Sequence, residues 1–173
     1  MVHALELSYG GEIAGGFGPK TNCLMIVGQN GAWSKPHGYF RNLLAAKARG
    51  MKLIVMDVRR TKVAEQADIH LQPRGGTDGA VAWGMIRVLI KEGLVDKAFI
   101  DKWCVGYDEV VKYAETFTPE WVEKESGVPA ELIVKAARMF AEGPSGVSIS
   151  GQSITHQHNG CNNVRACSLL MAL

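Results

Sequence analysis

Two short clusters of glycine, acidic and basic residues each follow an apolar run of the sequence. Residues 28–31 (GQNG) follow CLMIV, and residues 57–61 (DVRRT) follow KLIVM. Glycines let backbone amides approach a ligand closely, and an acid at a strand end can accept hydrogen bonds from ribose hydroxyls. An arginine guanidinium can donate two parallel hydrogen bonds to phosphate oxygens. Together these residue types are typical of a nucleotide-binding site.

A purely structural interpretation of the two clusters also stays open. The GQNG cluster does not match G-x-G-x-x-G, which weakens an ordinary nicotinamide-dinucleotide interpretation. In the structural interpretation Gly28 only forms a tight turn, and Arg59 and Arg60 are solvated surface residues.

A third cluster, residues 75–78 (GGTD), precedes a helical pattern of apolar residues. The pattern predicts that Asp78 is the N-cap of this helix. An aspartate at a helix start can also accept two hydrogen bonds, from N1–H and the amino group of a guanine. The sequence is compatible with either role, or with both.

Zinc-ligand residue types gather near the end of the sequence, at His156, His158, Cys161 and Cys167. Their spacing matches no common structural zinc site. We therefore expect this segment to make polar loop contacts or to touch a cofactor.

The apolar patterns predict the elements that position these clusters. Runs at 23–28 and 52–57 predict buried strands, with a helix at 39–50 between them. Shorter strands are predicted at 69–71 and 146–150. The expected fold is α/β, a doubly wound, Rossmann-like parallel sheet with flanking helices. In such a sheet a ligand binds beyond the carboxyl ends of the strands, where the first two clusters lie.

The remaining helices are predicted from apolar spacing and from glycine and proline boundaries. They cover residues 79–93, shorter pieces within 96–127 that break at Gly106 and Pro119, and residues 129–143. A last apolar helix is expected from Cys161 to Leu173. Methionines such as Met25 are expected in the core, and the four tryptophans in the core or an interface.

The composition of the chain argues against several classes of function. The chain has 173 residues, of which 47% are hydrophobic, enough for the core of one domain. The net charge of +2, with no long basic run, argues against nucleic-acid binding. No apolar run reaches about 18 residues, so no membrane span is predicted. The first ten residues lack signal-peptide features, and the four cysteines fit a reduced, cytosolic setting.

Four blocks of the sequence, taken in order, resemble the molybdopterin oxidoreductases of the dimethyl-sulfoxide-reductase type. The blocks are CLMIVGQNGAWSKP, VMDVRRTKVAEQADIHLQPRGGTDGAV, DKAFIDKWCVGYDEV and GQSITHQHNG. They extend over nearly the whole chain. RRTKVAE and WCVG look closest to the branch with acetylene hydratase and the thiosulfate or polysulfide reductases. The chain departs from the family at Gly31 and Val58, where proline is usual.

The resemblance implies a cofactor and the residues that bind it. The cofactor is molybdenum or tungsten held by molybdopterin guanine dinucleotide, with Asp78 recognising guanine. No catalytic or metal-ligating residue is implied in this chain. The implied cofactor-binding residues are Gly28, Asn30 and Ser34 at the phosphates, Asp57, Arg59 and Thr61 at the second strand end, Gly76 and Asp78 at guanine, and Gly151, Gln152 and Gln157 towards the pterin.

The resemblance also implies that residues 1–173 are a single guanine-dinucleotide-binding domain of a longer catalytic subunit. An apolar helical pattern that runs to Leu173 indicates an excised piece. The family's N-terminal iron–sulfur domain and C-terminal domain are not in this sequence. The expected partners are therefore the rest of the subunit, with a 4Fe–4S cluster, and an iron–sulfur electron-transfer subunit.

The whole enzyme is expected to catalyse a two-electron reaction, and this chain alone is expected to be inactive. A freestanding module that binds guanine or adenine nucleotides without redox activity is the alternative. A third interpretation is an interaction domain whose nucleotide site has decayed.

Overall fold

Four parallel strands form the sheet in the computed structural model, which describes residues 2–9, 17–143 and 146–173. They are β1 (Cys23–Val27), β2 (Lys52–Met56), β3 (Ile69–Leu71) and β4 (Gly146–Ser150). Their order across the sheet is β3-β2-β1-β4, so β1 pairs with β2 on one side and with β4 on the other. The predicted doubly wound parallel sheet is confirmed.

Helices connect the strands and cover the sheet. In the described residues they are α1 (Val2–Tyr9), α2 (Gly31–Ser34), α3 (Arg41–Ala48), α4 (Asp78–Lys91), α5 (Lys97–Trp103), α6 (Tyr107–Ala114), α7 (Pro119–Ser126), α8 (Ala130–Ala141) and α9 (Gly160–Leu169). A π-helix covers Pro36–Phe40, and 3₁₀ turns cover Ala64–Gln66 and Gln152–Ile154. None of the helices within the described ranges is long and apolar enough to cross a membrane.

Alternate residues of the strands face opposite sides of the sheet, and both sides are buried. Met25 and Ile54 belong to the larger core, with residues of α4, α7, α8 and α9. Leu24 and Leu53 belong to the smaller core, with residues of α3. Because helices cover both faces, β1 and residues 53–56 of β2 are continuously apolar rather than alternating.

Capping residues explain where α7 begins and correct the predicted start of α4. The Thr118 hydroxyl accepts a hydrogen bond from the Trp121 amide at 3.2 Å, and Pro119 follows as the first helical residue. The predicted N-cap role of Asp78 is wrong. The Thr77 carbonyl already accepts from the Val81 amide at 3.2 Å, so Thr77 is the N-cap and Asp78 is the first helical residue. The Asp78 carboxylate is therefore available for contacts outside its own helix.

One other expectation needs correction. The last helix ends at Leu169 rather than continuing to Leu173, and turns follow it. Trp33 and Trp103 are 87% and 67% exposed, so of their two predicted locations, the core and an interface, the core is excluded. Trp83 is partly buried and stacks on Phe117, with ring centroids 5.6 Å apart.

Candidate functional site

A cavity of about 220 Å³ lies at the carboxyl ends of β1, β2 and β4. We name it the sheet-edge cavity. Its lining residues are Gly28, Asn30, Asp57, Val58, Arg59, Gly75, Asp78, Ser153 and Gln157. All of them except Val58, Gly75 and Ser153 were predicted as site residues. The cavity lies where β1 separates β2 from β4, which is the position expected for a ligand in an open parallel sheet.

Two glycines allow the loops after β1 and β4 to touch at this cavity. Gly28 has a φ of +57°, and a Cβ placed there would lie 2.0 Å from the Ser153 Oγ. The Ser153 hydroxyl donates to the Gly28 carbonyl at 2.7 Å. A Cβ on Gly151 would lie 2.1 Å from the same carbonyl oxygen. Neither position has space for a side chain without movement of its neighbours.

Asp57 is held at the cavity by backbone groups. Its side chain is only 7% exposed, and its Oδ1 accepts a hydrogen bond from the Arg59 amide at 2.9 Å. The Asp57 amide donates to the Leu71 carbonyl at 3.1 Å, which fixes the end of β2 against β3. This local turn presents a carboxylate at the end of a strand, as the sequence predicted.

Asp78 is held at the cavity by a side chain from a distant loop. It is 5% exposed, and its Oδ2 accepts a hydrogen bond from the Gln157 amide nitrogen at 3.2 Å. Burial raises the pKa of Asp78, and the negative charge of Asp57 acts in the same direction. The Gln157 hydrogen bond opposes this rise in pKa. An ionised carboxylate has more acceptor positions than one donor uses, so Asp78 can also accept from a ligand.

A chain of side-chain amides continues behind Gln157. The Asn163 Nδ2 donates to the Gln157 Oε1 at 3.5 Å and to the Asn159 Oδ1 at 3.1 Å. The Asn159 Nδ2 donates in turn to the Gly76 carbonyl at 3.3 Å. The loop after β4, the start of α9 and the turn before α4 are therefore joined by one hydrogen-bonded network.

Asn30 brings an unpaired polar atom to the cavity. Its Oδ1 is buried and has no hydrogen-bond partner among the described residues. A buried acceptor without a partner costs free energy. A ligand donor would satisfy this oxygen, and a rotation of the amide would instead present its N–H₂ to a ligand acceptor.

Ser34 and Thr61 were predicted as site residues but do not line the cavity. The Ser34 hydroxyl donates to the Asn30 carbonyl at 3.2 Å, one turn back along the chain. The Thr61 hydroxyl accepts from the Ala64 amide at 3.2 Å and so begins a 3₁₀ turn. Both side chains support the loops that shape the cavity.

The other predicted residues lie around the loop after β4. Gly76 has a φ of +91°, and Gly151 supports Gly28 as described above. Gln152 is exposed and outside the cavity lining. The side-chain amide of Gln157, the third residue expected towards a pterin, donates to Asp78.

Sequence reasoning missed Ser153 and Asn163. The predicted topology could have indicated Ser153, because it follows β4 at the same edge of the sheet. No local pattern indicates Asn163, whose importance comes from the packing of α9 against α4. The described residues contain no cluster of three or more His, Cys, Asp or Glu side chains that could hold a metal ion.

A second, larger cavity of about 560 Å³ has different chemistry. It is lined mainly by apolar residues near the ends of α4, α8 and α9, including Leu89, Phe140 and Leu170. Its acidic lining residue, Asp96, accepts a hydrogen bond from the Phe99 amide at 2.9 Å and caps α5. The polar groups suited to a nucleotide are therefore at the sheet-edge cavity.

Comparison with known proteins identifies the family. The family model described as molybdopterin oxidoreductase matches residues 19–173. The chain belongs to the molybdopterin oxidoreductase family. The predicted resemblance is therefore confirmed, and the sheet-edge cavity is a cavity of a molybdopterin oxidoreductase domain.

Curated relatives and a solved structure agree with this family. The chain is 44% identical over 154 residues to acetylene hydratase of Syntrophotalea acetylenica, covering 88% of this chain and 21% of that protein. It is 41% identical over 147 residues to F420-dependent formate dehydrogenase 1 subunit alpha of Methanococcus maripaludis, covering 85% of this chain and 22% of that subunit. The structure of acetylene hydratase from Pelobacter acetylenicus superposes with a TM-score of 0.92 and 39% identity, covering 99% of this chain and 24% of that one.

The chain spans about a fifth of the length of these curated relatives. The family implies a cofactor of molybdenum or tungsten with a pterin. The cavity fits part of such a group. The glycines at 28 and 75 leave its wall without side chains there, Asn30 offers an unpaired polar atom, and two acids offer acceptors.

Proposed function

We propose that the sheet-edge cavity binds the guanosine end of a molybdopterin guanine dinucleotide. The observation that best supports this is the presence of two nearly buried carboxylates, Asp57 and Asp78, at one cavity. Buried acids are costly unless hydrogen-bond donors satisfy them. Ribose hydroxyls and the N1–H and amino group of guanine are donors of this kind.

The position of each side chain suits one part of the nucleotide. Asp78 would accept from the guanine edge, and Asp57 would accept from the ribose. Arg59 and the loop containing Gly28 and Asn30 would contact phosphates. A volume of about 220 Å³ is below the roughly 300–1,000 Å³ of pockets that enclose a whole drug-sized ligand. The cavity would therefore hold one end of the dinucleotide, while Gly151 and Gln152 face the pterin side.

The chain would then be the guanine-dinucleotide-binding domain of a longer catalytic subunit. When bound, the metal and its dithiolene sulfurs supply the reaction chemistry, and this chain binds and orients the cofactor. The proposed partners are the rest of the subunit, with its 4Fe–4S cluster, and an iron–sulfur electron-transfer subunit. We propose a two-electron reaction for the whole protein, although the relatives include a hydratase as well as dehydrogenases. The chain alone should show no turnover.

Calorimetric titration of the full chain with GDP, GMP and ADP tests the nucleotide assignment. We expect both guanine nucleotides to bind at least tenfold more tightly than ADP, because hydrogen bonds to a charged group contribute about 1.5–3 kcal/mol. Asp78→Asn should remove this preference, since an amide cannot accept both guanine donors. Asp96→Asn is a matched control, because Asp96 also lies at a helix start but lines the second cavity and not the sheet-edge cavity.

Two outcomes would contradict the proposal. Equal affinities for GDP and ADP would instead support a freestanding nucleotide-binding module without base selection. Failure of every nucleotide to bind would show that the sheet-edge cavity does not hold the guanosine end in this chain.

A further inference from the structure

We propose that Asn163, acting through Gln157, is a positioning residue that orients the Asp78 carboxylate to select guanine over hypoxanthine. This inference rests on the proposed function, because it concerns how the same cavity would distinguish bases. Asn163 would touch no ligand itself. It lies on α9, is 1% exposed and is absent from the cavity lining.

The amide network ends at two acceptors, the Gly76 carbonyl and the Asp78 carboxylate, and these determine the direction of every hydrogen bond within it. At one end the Gly76 carbonyl can only accept, so Asn159 presents its Nδ2 there and keeps its Oδ1 for Asn163. Asn163 then donates to Asn159 and to the Gln157 Oε1. The remaining group of Gln157, its Nε2, is consequently turned towards Asp78.

The backbone fixes Asn163 from two sides. Its amide donates to the Asn159 carbonyl at 3.0 Å within the first turn of α9. Its side-chain oxygen would lie only 2.4 Å from a Cβ on Gly79, the residue after Asp78. Because the glycine leaves this space to Asn163, the α9 side chain sits directly against the start of α4.

The consequence for Asp78 is a fixed acceptor. One of its oxygens holds the Gln157 donor, and an acid that accepts this bond favours the ionised form. Guanine offers two donors, N1–H and the 2-amino group, whereas hypoxanthine lacks the amino group and adenine lacks the N1–H. A carboxylate that is free to rotate would not hold N1–H and the 2-amino group of guanine at the same time. It could still accept from N1–H alone, which guanine and hypoxanthine share.

Titration of the full chain with GDP, IDP and ADP tests the inference. For the wild type we expect GDP to bind about tenfold more tightly than IDP, the effect of one hydrogen bond to a charged group. Gln157→Met keeps the length of the side chain but loses its donor. In this variant the ratio should fall to about twofold or less, because Asp78 is no longer oriented towards the second guanine donor. Gln157 lines the cavity and also donates to the Ser153 carbonyl, so IDP and ADP affinities should change to the same extent, and only GDP affinity should fall further.

Asn163→Ala should lower the GDP-to-IDP ratio in the same way, and Asn162→Ala is its control. Asn162 is the preceding asparagine on α9 and is exposed. If Asn163 acts through Gln157, Asn163→Ala should not lower the ratio further in the Gln157→Met background. Gln157 is only half-buried, so its variant can be tested even if Asn163→Ala does not fold.

Different results overturn different claims. A wild type that binds GDP no better than ADP would overturn the proposed function together with this inference. A wild-type GDP-to-IDP ratio retained in Gln157→Met would overturn the inference alone. Equal losses of GDP, IDP and ADP affinity in Gln157→Met would also overturn it, since they would show a general structural role.

Discussion

The two acids at the sheet-edge cavity are held in different ways. Asp57 is fixed by the Arg59 amide, two residues further along the chain. Asp78 is fixed by Gln157, a side chain that reaches it from beyond β4. One acid is therefore oriented by its own turn and the other by the tertiary structure. The Asp57 contact spans two residues of the chain, whereas the Asp78 contact joins residues that are 79 positions apart.

The largest effect should follow from disrupting the contact between the loop after β1 and the loop after β4. Gly151→Ala would place a Cβ 2.1 Å from the Gly28 carbonyl oxygen, and a backbone atom cannot move aside as a side chain can. We expect the free energy of unfolding to fall by about 3 kcal/mol, at the upper end for an overpacked site. Urea denaturation would measure this change, and GDP affinity should fall with it.

Gly38→Ala is the matched control for Gly151→Ala. A Cβ on Gly38 would have no atom within 4 Å. Its effect on unfolding should stay within about 0.5 kcal/mol, as for most surface substitutions. Equal effects of the two variants would show that the two loops are not in close contact.

A smaller effect should separate the roles of the two acids. Asp57→Ala removes the proposed ribose acceptor, so the affinities for GDP and ADP should fall together, by about tenfold. The GDP-to-ADP ratio should stay at the wild-type value, in contrast to Asp78→Asn. Calorimetric titration measures both values. A selective loss of GDP binding in Asp57→Ala would reverse our assignment of the acids.

The smallest effect should be a gain in stability. The folded-state pKa of Asp78 is raised by burial, so its contribution to stability is lost as the pH rises through that value. Asp78→Asn has no such loss. At pH 7 this variant should be more stable than the wild type by about 0.5–1 kcal/mol, in the lower part of the range for stabilising substitutions. The gain should shrink as the pH falls towards 4, which urea denaturation at several pH values would show.

Asp68→Asn should show the opposite pH dependence. Burial tends to raise the pKa of Asp68, but hydrogen bonds from Lys47 and from the Leu53 amide outweigh burial and lower the pKa. The contribution of Asp68 to stability is therefore present at neutral pH and lost as the pH falls. Asp68→Asn should be destabilising at pH 7 and nearly neutral in acid. The same sign of pH dependence in Asp68→Asn and Asp78→Asn would contradict the opposite pKa shifts of the two acids.

Local residue patterns predicted most of the fold because its central strands, β1 and β2, are almost continuously apolar and bounded by polar residues. The same patterns located Asp57, since an acid directly after a buried strand lies at the carboxyl edge of the sheet. They placed the start of α4 one residue late, because the Thr77 carbonyl and not the Asp78 side chain begins the helix.

The missed features depend on contacts between distant parts of the chain. Asn163 joins the hydrogen-bonded network behind the cavity because α9 lies against the glycine at 79, and a pattern within α9 contains no information on that contact. In the same way, the sequence predicted the core or an interface for the tryptophans without deciding between them, and Trp33 and Trp103 are exposed. Composition indicates how much surface can be buried but not which faces meet.

The pairing of β1 with β4 has a consequence for how the chain folds. Cys23 pairs with Gly146, so this edge of the sheet forms only after a very long loop closes. Contacts between residues so far apart in sequence slow folding, because the entropy of loop closure is lost before the contacts form. During synthesis the first three strands leave the ribosome long before β4, and one edge of β1 stays open to wrong partners. The side of the sheet-edge cavity that needs Ser153 and Gln157 is therefore completed only after β4 has joined the sheet.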